Sequence, residues 1–441
     1  MNNKFSIWLK TYLNRRILVV FMLGFSSGLP LALVGGTLQA WFKTSGAGII
    51  LIGYMGLIGQ PHVYKWLWSP LLDRFAPTTL LDRRRGWMLL MQLAIIAMIV
   101  GMTLFNPDST ISILNFNIPV LLLLALLLSC FSATQDIAID AYRIEVLKPD
   151  ELGLGAALGI EGYRVAMIAS GGFALILADK VGWQVTYLCM AGLMSLGILA
   201  TILAPAAPNR GNQNNKKLFN LVIASFKDFL LRKKAWLILL LIVMYKLGDA
   251  FSHVLSTPFL LDLEFTLTEA GMINKVLGVF ATLIGVLVGG LFMTRVGLYK
   301  ALLTFGVLAA ITNLTYMILA IVGKNMEIAC AAVFIENICA GMGTAAFVAL
   351  LMSLCNPKYT ATQFALLSSL AALGRVYVSP VSGHLVENFG WAAFYCFSAI
   401  IAIPGLFLLV YLRPQIDPRA EVLSVADSTA KILDGAQVRG I

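Results

Sequence analysis

Charged residues are scarce in this chain. Lys, Arg, Asp and Glu make up only 12% of its 441 residues, whereas hydrophobic residues make up 59%. Soluble domains average about 25% charged and roughly 45–50% apolar residues, so the composition excludes a soluble fold. Membrane-spanning helices need about 20 apolar residues each. The length therefore fits about twelve membrane crossings joined by short loops, with no room for a large soluble domain.

The chain also lacks the residue clusters that catalysis usually requires. Its three histidines, His62, His253 and His384, are scattered along the sequence, and no metal-spaced cluster, GxSxG elbow or phosphate-binding loop is present. The six cysteines lie in or beside apolar runs without a CxxC pair, which is typical of inert core positions. We therefore expect no enzyme, no cofactor and no metal site.

Apolar runs broken by charged residues, Gly and Pro predict an all-α integral membrane protein with twelve transmembrane helices. The spans are expected near residues 17–42, 49–72, 87–105, 118–142, 153–178, 185–205, 235–260, 269–294, 299–322, 328–354, 361–386 and 391–412. They divide into an N-terminal six-helix bundle (1–205), a linker (206–234), a C-terminal six-helix bundle (235–412) and a tail (413–441). Within the linker, LFNLVIASFKDFLL (218–231) is amphipathic and predicts a helix lying on the membrane surface. A flexible connection is the alternative.

Basic residues are almost missing from one set of loops. Twenty-four Lys and Arg residues fall on the side that carries both termini and the linker, whereas the other side has only Lys43, Lys180 and Lys324. Because cytoplasmic loops carry the excess of Lys and Arg, both termini and the linker are expected in the cytoplasm. The same distribution makes membrane topology, not nucleic acid, the reason for the net charge of +10.

The stretch SATQDIAIDAYR (132–143) places two acids inside the fourth span. Asp136 and Asp140 are four residues apart and share a helical face with Gln135 beside them. A charged acid at the bilayer centre costs about 2.5 to 17 kcal/mol, so it is a functional candidate by default. We predict that one of the two carries a proton, Asp136 first, and that Gln135 positions substrate. A helix–helix hydrogen-bonding role is the alternative.

Further charged residues lie inside the spans. Glu161 and Arg164 are three residues apart on one helical face, and Lys246, Asp249 and His253 form a stripe on span seven, so each set can neutralise itself. Functional and structural roles remain equally open for both sets. The others have no partner in their own helices, so they require one across a cavity or a bound ligand. These residues are Lys65, Lys275, Glu336 and Arg375.

The two halves of the chain repeat a pattern. Gly162-Tyr163-Arg164, then Gly172, then Gly182-Trp183 corresponds to Gly374-Arg375, then Gly383, then Gly390-Trp391. Parallel repeats of six helices are typical of the major facilitator superfamily, whose binding site lies at the bilayer midplane between the halves. The pattern therefore predicts a binding site between the halves, and we interpret Arg164 and Arg375 as basic residues that face it.

Five stretches together resemble the AmpG family of muropeptide permeases in the major facilitator superfamily. They are GFSSGLPLAL, TLQAWF, YKWLWSPLLDR with RRRGW, SATQDIAIDAYR, and GYRVAMIASGG. The resemblance covers roughly residues 24–204 and thins in the second half. It implies proton-coupled import of anhydromuropeptides, disaccharide–peptide fragments of peptidoglycan, across the bacterial inner membrane for cell-wall recycling. In some bacteria this flux also controls β-lactamase induction. The expected partners are this small molecule, protons and membrane lipid, for a protein that is a monomer.

The resemblance also suggests roles for particular residues. Asp73-Arg74, followed by Arg83-Arg84-Arg85, looks like the superfamily's cytoplasmic gating motif, with topology-determining charge as the alternative for the arginines. Arg offers a carboxylate a two-pronged match, so Lys65, Arg164 and Arg375 suit an anionic substrate. Sugar recognition favours amide and aromatic groups, which Gln60, Tyr64 and Asn274 supply here. Gly28-Leu29-Pro30 and Gly35-Gly36 are expected to let span one bend, although close helix packing explains these glycines almost as well.

Other functions remain as alternatives. Siderophore importers of the same superfamily share parts of this layout, so another amphiphilic anion is an alternative cargo. A membrane hydrolase using Asp136 and Asp140 as an acid/base pair is a further alternative. The six-helix repeats argue against a hydrolase, because hydrolysis gives no reason for them, and against a channel, which does not need two rocking halves.

Overall fold

The computed structural model describes residues 14–78, 81–113, 116–147, 151–206, 227–232, 234–356 and 360–416. Within these ranges the chain is helical apart from short loops and one two-stranded hairpin. The linker residues 207–226 and the tail residues 417–441 lie outside the described residues. The amphipathic linker helix and the domain boundaries that depend on it therefore stay predictions.

The first half contains six helical spans, three of them interrupted. Span 1 consists of Arg15–Ala32, Leu33–Thr37 and Leu38–Thr44; span 2 of Ile49–Tyr54, Met55–Gly59, Gln60–Tyr64, Lys65–Leu67 and Ser69–Arg74; span 3 of Arg83–Met102; span 4 of Val120–Val146; span 5 of Leu152–Met167, Ile168–Phe173 and Ala174–Val181; and span 6 of Trp183–Leu203. Between spans 3 and 4, β1 (Thr110–Ile113) pairs antiparallel with β2 (Phe116–Pro119). The sequence patterns did not predict this hairpin.

The second half follows the same order. Span 7 consists of Ala235–Val254 and Ser256–Asp262; span 8 of Leu267–Ala270, Gly271–Leu277 and Gly278–Val296; span 9 of Leu298–Val322; span 10 of Met326–Leu354; and spans 11 and 12 of Thr360–Ile400, Ile403–Tyr411 and the short Arg413–Ile416. Thr360–Ile400 is interrupted at Gly390, whose φ of 76° turns the chain between spans 11 and 12. Gly182, with a φ of 83°, does the same between spans 5 and 6. The predicted Gly-Trp repeat thus marks equivalent turns.

The predicted fold class is confirmed. In the described part of the chain, ten helices are long and apolar enough to cross a membrane. Span 2 is not among them because it is divided into short segments, and the segment Leu366–Tyr411 counts once although the chain turns within it at Gly390. The ten long helices, the divided span and the turned segment are consistent with twelve crossings.

Consecutive spans run in opposite directions, which gives the molecule two faces. The linker face carries the start of span 1, the end of span 6 and the start of span 7. The hairpin face carries β1 and β2. The two halves join from the hairpin face to the middle of the molecule: Lys43 pairs with Asp262, and Thr268 Oγ1 donates to Asp179 Oδ2 over 2.6 Å. The cavity described below therefore faces the linker face.

Span 1 is irregular at the second of the two stretches expected to let it bend, Gly35-Gly36. Gly28 packs against span 5 so closely that an added Cβ would lie 2.5 Å from the Tyr163 carbonyl oxygen. Pro30 lies inside the regular helix Arg15–Ala32, whereas the non-helical backbone is at Gly35, with φ −87° and ψ −116°. Gly28 therefore fits the close-packing alternative, and the irregular turn of span 1 begins beyond Pro30.

Candidate functional site

A cavity of about 820 Å³ lies between the two halves. Span 5 contributes its wall from the N-terminal half, and spans 7, 8, 10 and 11 contribute walls from the C-terminal half. Binding sites for drug-sized ligands typically measure about 300–1,000 Å³, so the cavity can hold a large solute.

Half of the residues predicted to bind substrate line this cavity. Those that line it are Arg164, Lys246, Asp249, Asn274, Lys275 and Arg375. The others are not among the lining residues: Gln60, Tyr64, Lys65, Gln135, Glu161 and Glu336. Arg164 and Arg375, equivalent by the sequence repeat, face the same cavity from opposite halves.

The cavity wall carries an excess of positive charge. Lys246 Nζ donates to Asp249 Oδ2 over 2.7 Å, so the expected pairing on span 7 is confirmed. By contrast, Arg164, Lys275 and Arg375 have no ion-pair or hydrogen-bond partner among the residues that the structure describes. The expected Glu161–Arg164 pair does not form, because Glu161 is exposed while Arg164 faces the cavity. Three basic side chains of the cavity wall are therefore available to bind an anionic ligand.

Asp136 lies in a polar cluster that joins spans 1, 2 and 4. Ser27 Oγ donates to Asp136 Oδ1 over 2.6 Å. The Asp136 Oδ2 atom lies 3.8 Å from Lys65 Nζ and 3.9 Å from His62 Nε2. The Asp136 side chain is 16% exposed. Lys65, which has no partner on its own helix among the described residues, thus has Asp136 on span 4 as its partner.

The other two polar residues of this stretch are placed differently. Asp140 is 54% exposed and accepts a hydrogen bond from Arg143 Nη2 over 3.0 Å, while Lys65 Nζ lies 4.0 Å away. Gln135 is fully buried, and its Nε2 donates to Ser26 Oγ over 2.8 Å. Gln135 therefore lies in the packed contact between spans 1 and 4, away from the cavity in this conformation.

Glu336 also finds its partner on another span. Its Oε1 lies 2.9 Å from His253 Nε2 and 3.4 Å from Ser252 Oγ on span 7. The Glu336 side chain is 3% exposed, whereas His253 is 38% exposed and lines the cavity. Glu336 therefore stands behind the cavity wall and His253 forms part of it.

Gln60 and Tyr64 bridge the halves. Tyr64 Oη lies 2.7 Å from Tyr377 Oη on span 11, and Gln60 Nε2 donates to the same oxygen over 3.4 Å. These contacts join span 2 of the N-terminal half to span 11 of the C-terminal half.

The sequence analysis did not single out several cavity residues. Thr344 accepts a hydrogen bond from Lys246 Nζ over 3.2 Å, and the Phe347 ring centroid lies 5.4 Å from the same nitrogen. Asn337 and Thr282 are joined by a 3.2 Å hydrogen bond at the cavity wall. Asn337 and Thr344 could have been found from the sequence, because they are polar residues inside the apolar span that also contains Glu336.

Comparisons with known proteins give the family. The sequence profile described as Major Facilitator Superfamily matches residues 17–378 and 254–435. The Anhydromuropeptide permease of Escherichia coli (strain K12) is 47% identical over 414 residues, covering 93% of this chain and 82% of that protein. The Putative transporter AmpG 4 of Rickettsia conorii is 34% identical, covering 92% and 99%.

The chain belongs to the AmpG family of the Major Facilitator Superfamily. The crystal structure of the nucleoside transporter NupG has the same fold, with a TM-score of 0.68 at 15% identity, covering 91% of this chain and 99% of that one. The protein is therefore a multi-pass membrane transporter, and the expectation that it is not an enzyme is confirmed.

The predicted gating motif of this AmpG family member is described only in part. Asp73 and Arg74 end the helix Ser69–Arg74, but their side chains lie outside the described residues. On span 3, Arg84 Nη2 donates to Glu145 Oε1 over 2.9 Å, within the same half. Arg85 is hydrogen-bonded to Asp82. These two arginines are therefore paired inside the N-terminal half, and the gating role of the motif stays a prediction.

Proposed function

We propose that this AmpG family protein imports anhydromuropeptides by proton-coupled alternating access. The observation that carries the proposal is the cavity of about 820 Å³ between the halves. Its wall includes Arg164, Lys275 and Arg375, which have no ion-pair partner among the described residues. The Escherichia coli permease, 47% identical over most of this chain, supports the choice of cargo.

The chemistry of the cavity wall suits such a cargo. A muropeptide joins sugars to a peptide that ends in carboxylates, so it needs cations for the peptide and neutral polar groups for the sugars. Arg164 and Arg375 offer planar forks that bind a carboxylate through two parallel hydrogen bonds. Asn274, Asn337 and Thr344 supply neutral polar groups on the same wall.

Proton coupling is assigned to Asp136. An acid inside an apolar span has its charged form disfavoured, which allows protonation and release as solvent access alternates. The neighbouring Lys65, whose Nζ lies 3.8 Å away, and the hydrogen bond from Ser27 Oγ stabilise the charged form. Because these two effects oppose each other, the protonated and the charged form of Asp136 have similar free energies.

The orientation in the membrane is inferred from charge asymmetry. The excess of Lys and Arg on the linker face supports a cytoplasmic location for that face, both termini and the open side of the cavity. The protein then lies in the inner membrane and delivers its cargo inward from the periplasm for cell-wall recycling. The conformation described here, closed at the hairpin face, corresponds to the releasing state.

The test is uptake of labelled anhydromuropeptide into vesicles containing the purified protein. Intact substrate should accumulate when a proton gradient is imposed, and Arg164→Lys and Arg375→Lys should each raise the KM about tenfold or more, because the ammonium keeps the charge but loses the fork. Arg295→Lys, on the linker face, is the matched control. Lack of uptake together with accumulation of a siderophore would assign another cargo, and cleaved product without a gradient would indicate a hydrolase.

A further inference from the structure

A second cluster of titratable side chains lies in the C-terminal half, apart from Asp136. Its centre is the contact between Glu336 of span 10 and His253 of span 7, with 2.9 Å between Oε1 and Nε2. Ser252 Oγ, on the same span as His253, lies 3.4 Å from Oε1. The proposed function assigns no role to this pair.

The two oxygens of Glu336 have different surroundings, and the Tyr316 side chain of span 9 also interacts with this carboxyl group. Glu336 Oε2 is buried and has no hydrogen-bond partner among the described residues, and the same is true of the nearby Tyr395 Oη. A buried acceptor left without a donor costs about 1–3 kcal/mol, and more when it is charged. A proton on the carboxyl group lowers the cost of burying this oxygen, because the negative charge disappears. The site is thus built for a carboxyl group that is protonated for part of the time.

No Lys or Arg among the described residues lies within ion-pair distance of Glu336. On span 7, Lys246 is already paired with Asp249 at 2.7 Å. Span 9 presents Tyr316, span 12 presents Tyr395, and span 10 adds Cys339 near the carboxylate. Only His253 meets Glu336 as an ion pair among the described residues. The charge of the pair is therefore set by the number of protons that it holds.

The pair is connected to the cavity on one side only. His253 is 38% exposed and lines the cavity, whereas Glu336 is 3% exposed behind it. A proton from cavity water reaches the imidazole first and is then shared with Oε1, without any change in covalent structure. His253 thus links the buried acid to the space that holds the cargo.

We propose that His253 and Glu336 form a second proton-binding site, whose protonation is coupled to the binding of an anion in the central cavity. Each proton added to the pair adds one positive charge to the cavity wall, beside Lys275 and Asn274 of span 8. An anion in the cavity therefore favours protonation of the pair. By reciprocity, protonation of the pair favours binding of the anion to the same extent.

The existence of the site can be tested without any substrate. The full chain in lipid nanodiscs, labelled with ¹⁵N-histidine, gives signals from only three imidazoles, which His62→Asn and His384→Asn variants assign by difference. The His253 signal should titrate with pH, and Glu336→Gln should lower its midpoint by about one pH unit or more, because the facing carboxylate no longer stabilises the imidazolium. Glu327→Gln, the same change at the exposed start of span 10, should leave the midpoint unchanged. An unchanged midpoint in folded Glu336→Gln overturns the proposal.

The coupling to the anion rests on the proposed function and needs a binding measurement. Affinity for anhydromuropeptide should fall as pH rises, by up to about tenfold per pH unit for each linked proton. Glu336→Gln and His253→Asn should each remove one proton's share of this slope, while Glu327→Gln keeps it. A slope identical to that of the wild type in both folded variants overturns the coupling. Lack of binding by the wild type at every pH contradicts the proposed cargo, and the histidine titration then decides the proton site alone.

Discussion

At the scale of single residues, the two acids of span 4 have different environments although they occupy one helical face. Asp136 is 16% exposed and contacts three side chains from spans 1 and 2. Asp140 is 54% exposed, pairs with Arg143 on its own helix at 3.0 Å and, among the described residues, has only the more distant Lys65, at 4.0 Å, as a partner on another span. A cluster between spans changes when the spans move, but a pair within one helix does not. This difference supports Asp136 as the coupling residue.

Replacement of Asp136 by Asn should separate coupling from transport. The amide imitates the permanently protonated acid, so the variant should lose accumulation driven by a proton gradient but keep exchange between loaded vesicles and medium. The measurement is uptake with a gradient, compared with counterflow at equal pH. Asp140→Asn is the matched control and should keep gradient-driven accumulation. If Asp136→Asn still concentrates substrate against its gradient, this acid is not the obligatory carrier.

At the scale of elements, both halves have the same hydrogen-bonded contact. A residue just before the first span of the half is bonded to the connection between the fourth and fifth spans. In the N-terminal half, Asn14 Nδ2 donates to Glu151 Oε1 over 2.6 Å. In the C-terminal half, Asp228 Oδ2 accepts from Gln363 Nε2 over 2.9 Å, and its Oδ1 accepts from Asn356 Nδ2 over 3.2 Å. The structural repeat therefore extends to contacts that the sequence echo does not contain.

The second clamp should depend on pH. Hydrogen bonds from Gln363 and Arg232 hold the pKa of Asp228 below its usual value of 3.8. Because the pKa is lower in the folded state, the contribution of Asp228 to stability is complete above pH 3.8 and is lost as pH falls through the folded-state pKa. The melting temperature of Asp228→Asn should therefore lie below that of the wild type at pH 7.

The difference between the two melting curves should shrink on acidification below about pH 4. Thermal unfolding in nanodiscs at a series of pH values measures it, with Asp108→Asn in the exposed loop before β1 as the control. A difference that stays constant from pH 7 to pH 3 would contradict the role of the ionised carboxylate.

At the scale of the whole molecule, the halves close the hairpin face through backbone contact. Ser379 Oγ donates to the Gly53 carbonyl oxygen over 2.7 Å, which brings span 2 against span 11. A Cβ added at Gly53 would lie 2.9 Å from the Ser379 carbonyl oxygen, and one at Gly383 would lie 2.9 Å from the Ile49 carbonyl oxygen. At both positions the atom that an added Cβ would approach belongs to the backbone, which cannot rotate away as a side chain can. The closed hairpin face therefore depends on glycine at Gly53 and Gly383. The ion pair between Lys43 and Asp262 joins the same face.

Gly53→Ala should therefore shift the population toward a conformation open at the hairpin face. Distances between spin labels at positions 106 and 327, in a variant without native cysteines, should lengthen in Gly53→Ala when measured by electron paramagnetic resonance. Gly290→Ala is the control, because nothing lies within 4 Å of its added Cβ. Equal distance distributions in Gly53→Ala and the control would show that this contact does not hold the face closed.

The spans, the turns between them and the pairs within one helix are predictable from the amino-acid sequence alone. Apolar length gave the spans, and the Gly-Trp repeat located the turns at Gly182 and Gly390. The repeat also predicted a site between the halves, which the cavity lined by Arg164 and Arg375 occupies, and spacing along span 7 predicted the Lys246–Asp249 pair. Each of these follows from helical periodicity, which is set by covalent geometry and needs no knowledge of neighbouring helices.

Contacts between side chains of different spans are visible only in the folded structure. It placed Lys65 beside Asp136, buried Gln135 against Ser26, and set Glu336 behind His253. It also left Arg164 without the partner that spacing suggested, and it closed the hairpin face rather than the linker face. The physical reason is that the rotation of each helix and its approach to its neighbours are set by packing across many distant residues, including close glycine contacts. A pattern read along one span contains no record of that packing.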